Sequence, residues 1–260
     1  MTVFPMSCFP SSSFRSRVAG AACLLLTATA SLPWPAVAQP AGAVAAPRAS
    51  AASPAPEPVA VPPVQPGFPA PPPLAARSFL LIDVGANNQI LAAKDMDAVM
   101  EPASLTKLMT AYIVFDALKS GKISMDQTFG VSEKAWKMPG SRMFIQPGQL
   151  VRVEDLLKGM IVQSGNDATM ALAEGLFGSE EAFVQHMNAT AQRLGMRNTG
   201  YRNPEGLTAP GHVTTARDMA LLSTRLLADF PQYVGFYALK EYRYPGTPVA
   251  NAGNRNLLLF

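Results

Sequence analysis

Ser104 and Lys107, in the run Ser104-Leu105-Thr106-Lys107, are the first pair in this chain whose types and spacing could do chemistry. At a helix start, positions i and i+3 share a face, so the hydroxyl and the amine can meet. A lysine is a base only when neutral, so its pKa has to fall from about 10.4. Burial and nearby positive potential both push it down. The helix N-terminus beneath Ser104 also favours negative charge on its oxygen. The spacing alone is weak, because S-x-x-K occurs by chance in many chains and fits an ordinary first turn with a solvated lysine. A second group, Ser164-Gly165-Asn166, follows at a junction between two predicted helices. A serine there can relay a proton to a leaving amine, and an asparagine can hold a substrate carbonyl or the lysine in place. By itself this group also reads as a helix-capping serine with Asn in a turn. In order, and on the predicted elements, the two groups are far more specific together than apart.

Other chemistries have few candidates. The chain has two histidines, His186 in a predicted helix and His212 in a loop rich in Gly and Pro, and both are expected at the surface. A Ser-His-Asp arrangement and a metal site with several His ligands are therefore not expected. Glu205, in Asn203-Pro204-Glu205-Gly206-Leu207, is expected on a surface turn. Both cysteines, Cys8 and Cys23, fall in the N-terminal segment, which leaves none downstream for disulfides, thiolate catalysis or cysteine-bound metal. The formal net charge of +3 gives no bulk electrostatic case for nucleic acid.

The sequence also marks the elements that must position these residues. Residues 1–38 have the layout of a secretory signal peptide: Arg15 and Arg17, an apolar stretch over 18–30, then the small-x-small site Ala36-Val37-Ala38. The apolar stretch is too short for a membrane span of ~20 residues. Residues 39–76, mostly Ala, Pro, Val and Ser, read as a poorly ordered linker. Order is expected from residue 77, starting with a β-hairpin of 78–84 and 89–93 around the turn Gly85-Ala86-Asn87-Asn88. A long buried helix should run from Pro102 to a stop at Gly121. Further helices are expected over 153–163, 167–177, 179–194 and 215–230. Ser179 should be an N-cap, and Thr215 with Asp218 forms a capping-box-like start. Residues 241–244 read as a possible strand. The run Leu257-Leu258-Leu259-Phe260 reads as part of a buried strand whose neighbours lie further on, so the chain is expected to be a fragment.

At this point a resemblance is clear. Glu101-Pro102-Ala103-Ser104-Leu105-Thr106-Lys107-Leu108-Met109-Thr110 looks like the active-site helix of low-molecular-weight penicillin-binding proteins, the D-alanyl-D-alanine carboxypeptidases of serine peptidase family S11. Gln163-Ser164-Gly165-Asn166-Asp167 resembles their second motif, and Thr214-Thr215-Ala216-Arg217-Asp218-Met219-Ala220 and Asn254-Arg255-Asn256 resemble flanking segments. The resemblance covers residues 77–260. It implies an α+β, β-lactamase/transpeptidase-like fold with an antiparallel sheet and a helical subdomain, incomplete at the C-terminus.

The resemblance also implies roles. Ser104 would be the acylated nucleophile, Lys107 the proton acceptor and Ser164 a proton relay, with Asn166 orienting the substrate. The substrate would be the D-Ala-D-Ala end of the peptidoglycan pentapeptide, β-lactams would acylate the same serine, and no cofactor would be needed. The place of work would be the periplasm, with membrane association only through a C-terminal tail that this sequence does not contain.

One departure stands out: the family's third motif, Lys-Thr/Ser-Gly, is missing, and with it one oxyanion-hole donor worth ~10²–10³ in rate. The chain as given is therefore expected to be poorly active. Three alternatives remain open: a serine β-lactamase, a D,D-endopeptidase or transpeptidase, and a non-catalytic peptidoglycan-binding pseudoenzyme.

Overall fold

The structure is a computed structural model that describes residues 75–260. The expected signal peptide (1–38) and nearly all of the expected linker (39–76) lie outside the described residues. Among the described residues, no helix is long and apolar enough to cross a membrane.

The hairpin forms as the sequence predicts. Strands β1 (Phe79–Asp83) and β2 (Gln89–Lys94) pair antiparallel, from Phe79 opposite Lys94 to Asp83 opposite Gln89, with a bulge after Leu81. Asn87 and Asn88 take left-handed backbone angles (φ 56° and 60°), which asparagine tolerates better than most residues. Asp83 closes the turn by accepting from the Gly85 and Ala86 N–H groups at 2.9 and 3.1 Å.

Helix α1 (Lys107–Lys119) is the pillar of the domain. Met109, Ala111, Val114 and Phe115 are wholly buried, and Tyr112 and Ile113 nearly so. Apolar side chains thus cover most of its circumference, and α1 touches helices on several sides. These neighbours are α3 (Val153–Val162), α4 (Asn166–Phe177), α5 (Glu180–Leu194) and α6 (Ala216–Asp229). The Phe115 ring sits 4.8 Å from that of Tyr233 and 6.0 Å from that of Phe230, which ties α1 to the 3-10 segment Pro231–Ala238.

The predicted caps are made. Ser179 Oγ accepts from Ala182 N at 3.1 Å, and Thr215 Oγ1 accepts from Asp218 N at 3.1 Å. The return half of the capping box is replaced, however. The Asp218 carboxylate accepts instead from Asn198 N at 2.9 Å and Thr199 Oγ1 at 2.7 Å, so it ties the segment leaving α5 to the first turn of α6.

Three features differ from expectation. A short helix, α2 (Glu133–Trp136), and a small antiparallel pair, β3 (Thr128–Gly130) with β4 (Leu150–Arg152), carry too few residues for a periodic signal. Residues 241–244 form no strand; Glu241 makes one isolated bridge to Gly253. Leu257–Leu259 is a 3-10 turn with Leu257 and Leu258 exposed, because no described strand lies beside it to complete a ladder.

The pillar's load can be measured. Phe115→Ala removes a fully buried ring and should cost about 3–5 kcal/mol of unfolding free energy. Chemical denaturation checks this, and a loss below about 1 kcal/mol would contradict the assignment of α1 as the core.

Candidate active site

Ser104 lies on a 3-10 turn, Ala103–Thr106, that leads directly into α1. The sequence predicted an ordinary helical start at Pro102. Ala103 instead adopts φ 46°, and the turn closes by Leu105 N donating to Pro102 O at 3.1 Å. A 3-10 turn has three residues per turn, so side chains i and i+3 eclipse. That geometry brings Lys107 Nζ over Ser104 Oγ at 3.4 Å, a long contact of the kind that tightens when substrate binds.

Lys107 is buried while Ser104 is exposed. The ammonium donates to the backbone carbonyl of Glu205 at 2.7 Å. Burial lowers the Lys107 pKa to about 8, the Glu205 carboxylate opposes that fall and Arg255 assists it. A lysine in this state is a usable base near neutral pH.

The loop of residues 203–207 holds that arrangement. Asn203 Oδ1 accepts from Gly206 N at 2.7 Å and Leu207 N at 3.0 Å, while its Nδ2 donates to Leu207 O at 2.8 Å. Thr110 Oγ1 donates to Pro204 O at 2.7 Å, one turn along α1 from Lys107. Gly206, at φ 94°, packs so close beneath Ala103 that an added Cβ would overlap the Ala103 carbonyl oxygen.

Two expectations are corrected here. Glu205 is not on a surface turn; it is 3% exposed, held under α1 by the Asn203 staple. Nor is His212 at the surface; it is buried and links two segments. Its Nδ1 accepts from Arg202 N at 3.0 Å, which places the proton on Nε2, and Nε2–H then donates to Thr106 Oγ1 at 2.8 Å. Burial, and secondarily Arg202, lowers the His212 pKa, in keeping with this neutral form. His186 is half-buried and packs on the Phe177 ring at 4.6 Å, away from Ser104.

Ser164 joins α3 to α4 in a left-handed conformation, φ 56°. Its Oγ is buried with no hydrogen-bond partner among the described residues. Ser104, Lys107 and Ser164 line one cavity of about 160 Å³, walled by Leu105, Leu108, Met160, Ile161 and Tyr237. The Tyr237 hydroxyl is also buried and unpartnered; the sequence offered no motif to single it out. A larger apolar groove of about 540 Å³ between β1 and α6 contains neither Ser104 nor Lys107.

Asn166 is not in the cavity wall. It starts α4, and its Nδ2 donates to Pro139 O at 2.7 Å while its backbone N–H donates to Ser141 O at 2.7 Å. The next residue, Asp167, was not singled out either. Its buried carboxylate accepts from Met143 N, Phe144 N and Ala168 N at 2.8–2.9 Å. Together they lock the 139–145 loop beside Ser164. Among the described residues, no group of three or more His, Cys, Asp or Glu side chains could hold a metal ion.

The model of the S11 peptidases, described as D-alanyl-D-alanine carboxypeptidase, matches residues 66–260. The chain belongs to this family. It is 43% identical over 195 residues to D-alanyl-D-alanine carboxypeptidase DacC of Escherichia coli K12, covering 73% of this chain and 48% of that protein. It is 43% identical over 152 residues to DacF of Bacillus subtilis 168, covering 58% of this chain and 39% of that one. The crystal structure of penicillin binding protein 5 from Haemophilus influenzae matches this chain with a TM-score of 0.69 at 38% identity, over 74% of this chain and 56% of that one. The S11 chain thus has the β-lactamase/transpeptidase fold and spans about half the length of the curated relatives it matches.

Gly206→Ala tests the fit of loop to turn. The left-handed angle alone costs about 1–2 kcal/mol for a residue with a Cβ, and the overlap displaces Ala103. The variant should unfold earlier by at least that amount and react more slowly with a labelled penicillin. Unchanged stability and rate would show that the loop does not set the turn.

Proposed function

We propose that this chain carries the acylation centre of a serine-type D-Ala-D-Ala carboxypeptidase. The observation that carries the reading is the single cavity holding Ser104, a buried Lys107 with a lowered pKa, and Ser164. Neutral Lys107 takes the proton from Ser104 Oγ, which attacks the carbonyl between the two D-alanines of a stem peptide. The positive end of the first helical turn favours the oxygen's negative charge. Ser164 relays the proton taken up by Lys107 to the leaving amine of the terminal D-alanine, which restores the neutral lysine. Water then hydrolyses the ester on Ser104. Asn166 stands outside the cavity wall with Nδ2 committed to Pro139 O, so in this reading it would orient a substrate only through Oδ1.

β-Lactams would acylate Ser104 by the same first step, in keeping with the penicillin-binding proteins among the similar structures. The peptidoglycan pentapeptide is the substrate in this reading. Residues 1–38 would direct export to the periplasm, with 39–76 as a spacer ahead of the catalytic region. The β-lactamase alternative finds no support in Glu205, which is absent from the cavity wall around Ser104.

Labelled penicillin tests the reading. The purified protein should be marked covalently, and Ser104→Ala should abolish the mark. Lys107→Met should slow acylation by ~10²–10⁴-fold, the usual worth of a general base. The neutral amine is the active form, so the rate should rise with pH and level off above about 8. A mark that survives Ser104→Ala would sink the assignment.

A further inference from the structure

We propose that Glu205 is a positioning residue for this reaction: its buried carboxyl group sets the charge carried by Lys107 and thereby when the lysine can accept the Ser104 proton. The inference rests on Lys107 being the base of the reaction proposed above.

The geometry joins the two residues through the Glu205 backbone, with no direct ion pair between its carboxylate and Lys107 Nζ. Lys107 Nζ is 2.7 Å from the Glu205 carbonyl oxygen, so the ammonium is bound to the backbone of the very residue that bears the carboxyl. Both residues are buried, at 7% and 3% exposure. The Asn203 staple and the Thr110–Pro204 bond leave the loop no easy way to turn Glu205 out to solvent. Glu205 Oε2 has no hydrogen-bond partner among the described residues. A buried carboxylate with bonds unmade is costly, and the usual relief is to take up a proton. The side chain does not line the cavity with Ser104, so it acts through Lys107 and not on the acyl-enzyme.

The charges around the pair support the same reading. Burial raises the Glu205 pKa to about 7 and Glu180 pushes the same way, while a hydrogen bond from its own backbone N–H, then Lys107 and Lys134, oppose. Lys134 is itself paired with Glu180 at 2.7 Å. On the lysine side, Glu205 is the group that favours the ammonium, with burial and Arg255 against it. Ionised Glu205 therefore holds the proton on Lys107, and protonated Glu205 lets it go. The state with Glu205 ionised and Lys107 protonated and the state with both neutral differ only in which group keeps one proton, so the two titrations are coupled.

The test is the pH dependence of Ser104 acylation by a labelled penicillin, in the wild type and in Glu205→Gln. The wild type should show an acidic limb broadened by two ionisations. Glu205→Gln keeps the shape and removes the charge. Its limb should follow a single, steeper ionisation with the midpoint displaced toward acid by up to about one pH unit; the gain appears where wild-type Glu205 is ionised and vanishes well below pH 7, where neither side chain at position 205 carries a charge. A merely structural role would scale the rate at every pH and leave the midpoint in place; coincident limbs overturn the proposal.

A second arm keeps the proposal exposed if the variant does not fold. Carbon-13 NMR of the Glu205 carboxyl should show titration near pH 7 in the wild type. Lys107→Met should move that midpoint upward, because coupling is reciprocal. A midpoint in the ordinary carboxylate range, or one unmoved by Lys107→Met, overturns the inference. If the wild type is never acylated at any pH, the carboxypeptidase reading fails instead, and the NMR arm alone decides the coupling.

Discussion

Withdrawing one ammonium group from water beside a hydroxyl is the constraint around which this domain is built. An unpaired buried charge costs several kcal/mol, and Lys107 is buried against α1's neighbours with one strong acceptor, the Glu205 carbonyl. That imbalance is useful. A lysine fully satisfied by carboxylates would keep its proton, and one in open solvent would keep it too. Partial satisfaction in a closed site brings its pKa to about 8, where donation and acceptance by Ser104 are both accessible.

Such a site works only if the surrounding backbone does not relax. The apolar girth of α1 supplies the rigidity from below, through Met109, Phe115 and their packing partners. The 203–207 loop supplies it from the side, tied at Thr110, Lys107 and beneath Ala103. Opposite, Ser164 sits at a left-handed angle that costs of order 1–3 kcal/mol and persists only where neighbours over-determine it. Asp167 provides that support by collecting the N–H groups of the 143–145 loop, and Asn166 adds the Pro139 tie. The Ser-Gly-Asn-Asp run therefore divides its labour. Ser164 faces the cavity, while Asn166 and Asp167 mostly hold the wall in place.

Much of this was legible from residue order. The hairpin, the long buried helix and the capped starts at Ser179 and Thr215 appear where periodicity and cap residues placed them, because each signal is local. The strands β3 and β4 were not legible, since three residues hold too little pattern. Residues 241–244 show the converse: Glu241-Tyr242-Arg243-Tyr244 read as a strand, but a strand exists only when another backbone lies alongside it.

Ser104, Lys107 and Ser164 were singled out as candidates from type, spacing and a family resemblance, and residue order alone determined that a hydroxyl and an amine would share one turn. Only the tertiary structure decided that the turn is 3-10, that His212 and Glu205 are buried, and that Glu205 lies against Lys107. The reason is physical. Spacing along a helix is a property of consecutive residues, whereas burial and the pKa of an amine depend on what folds over it from about 98 residues away.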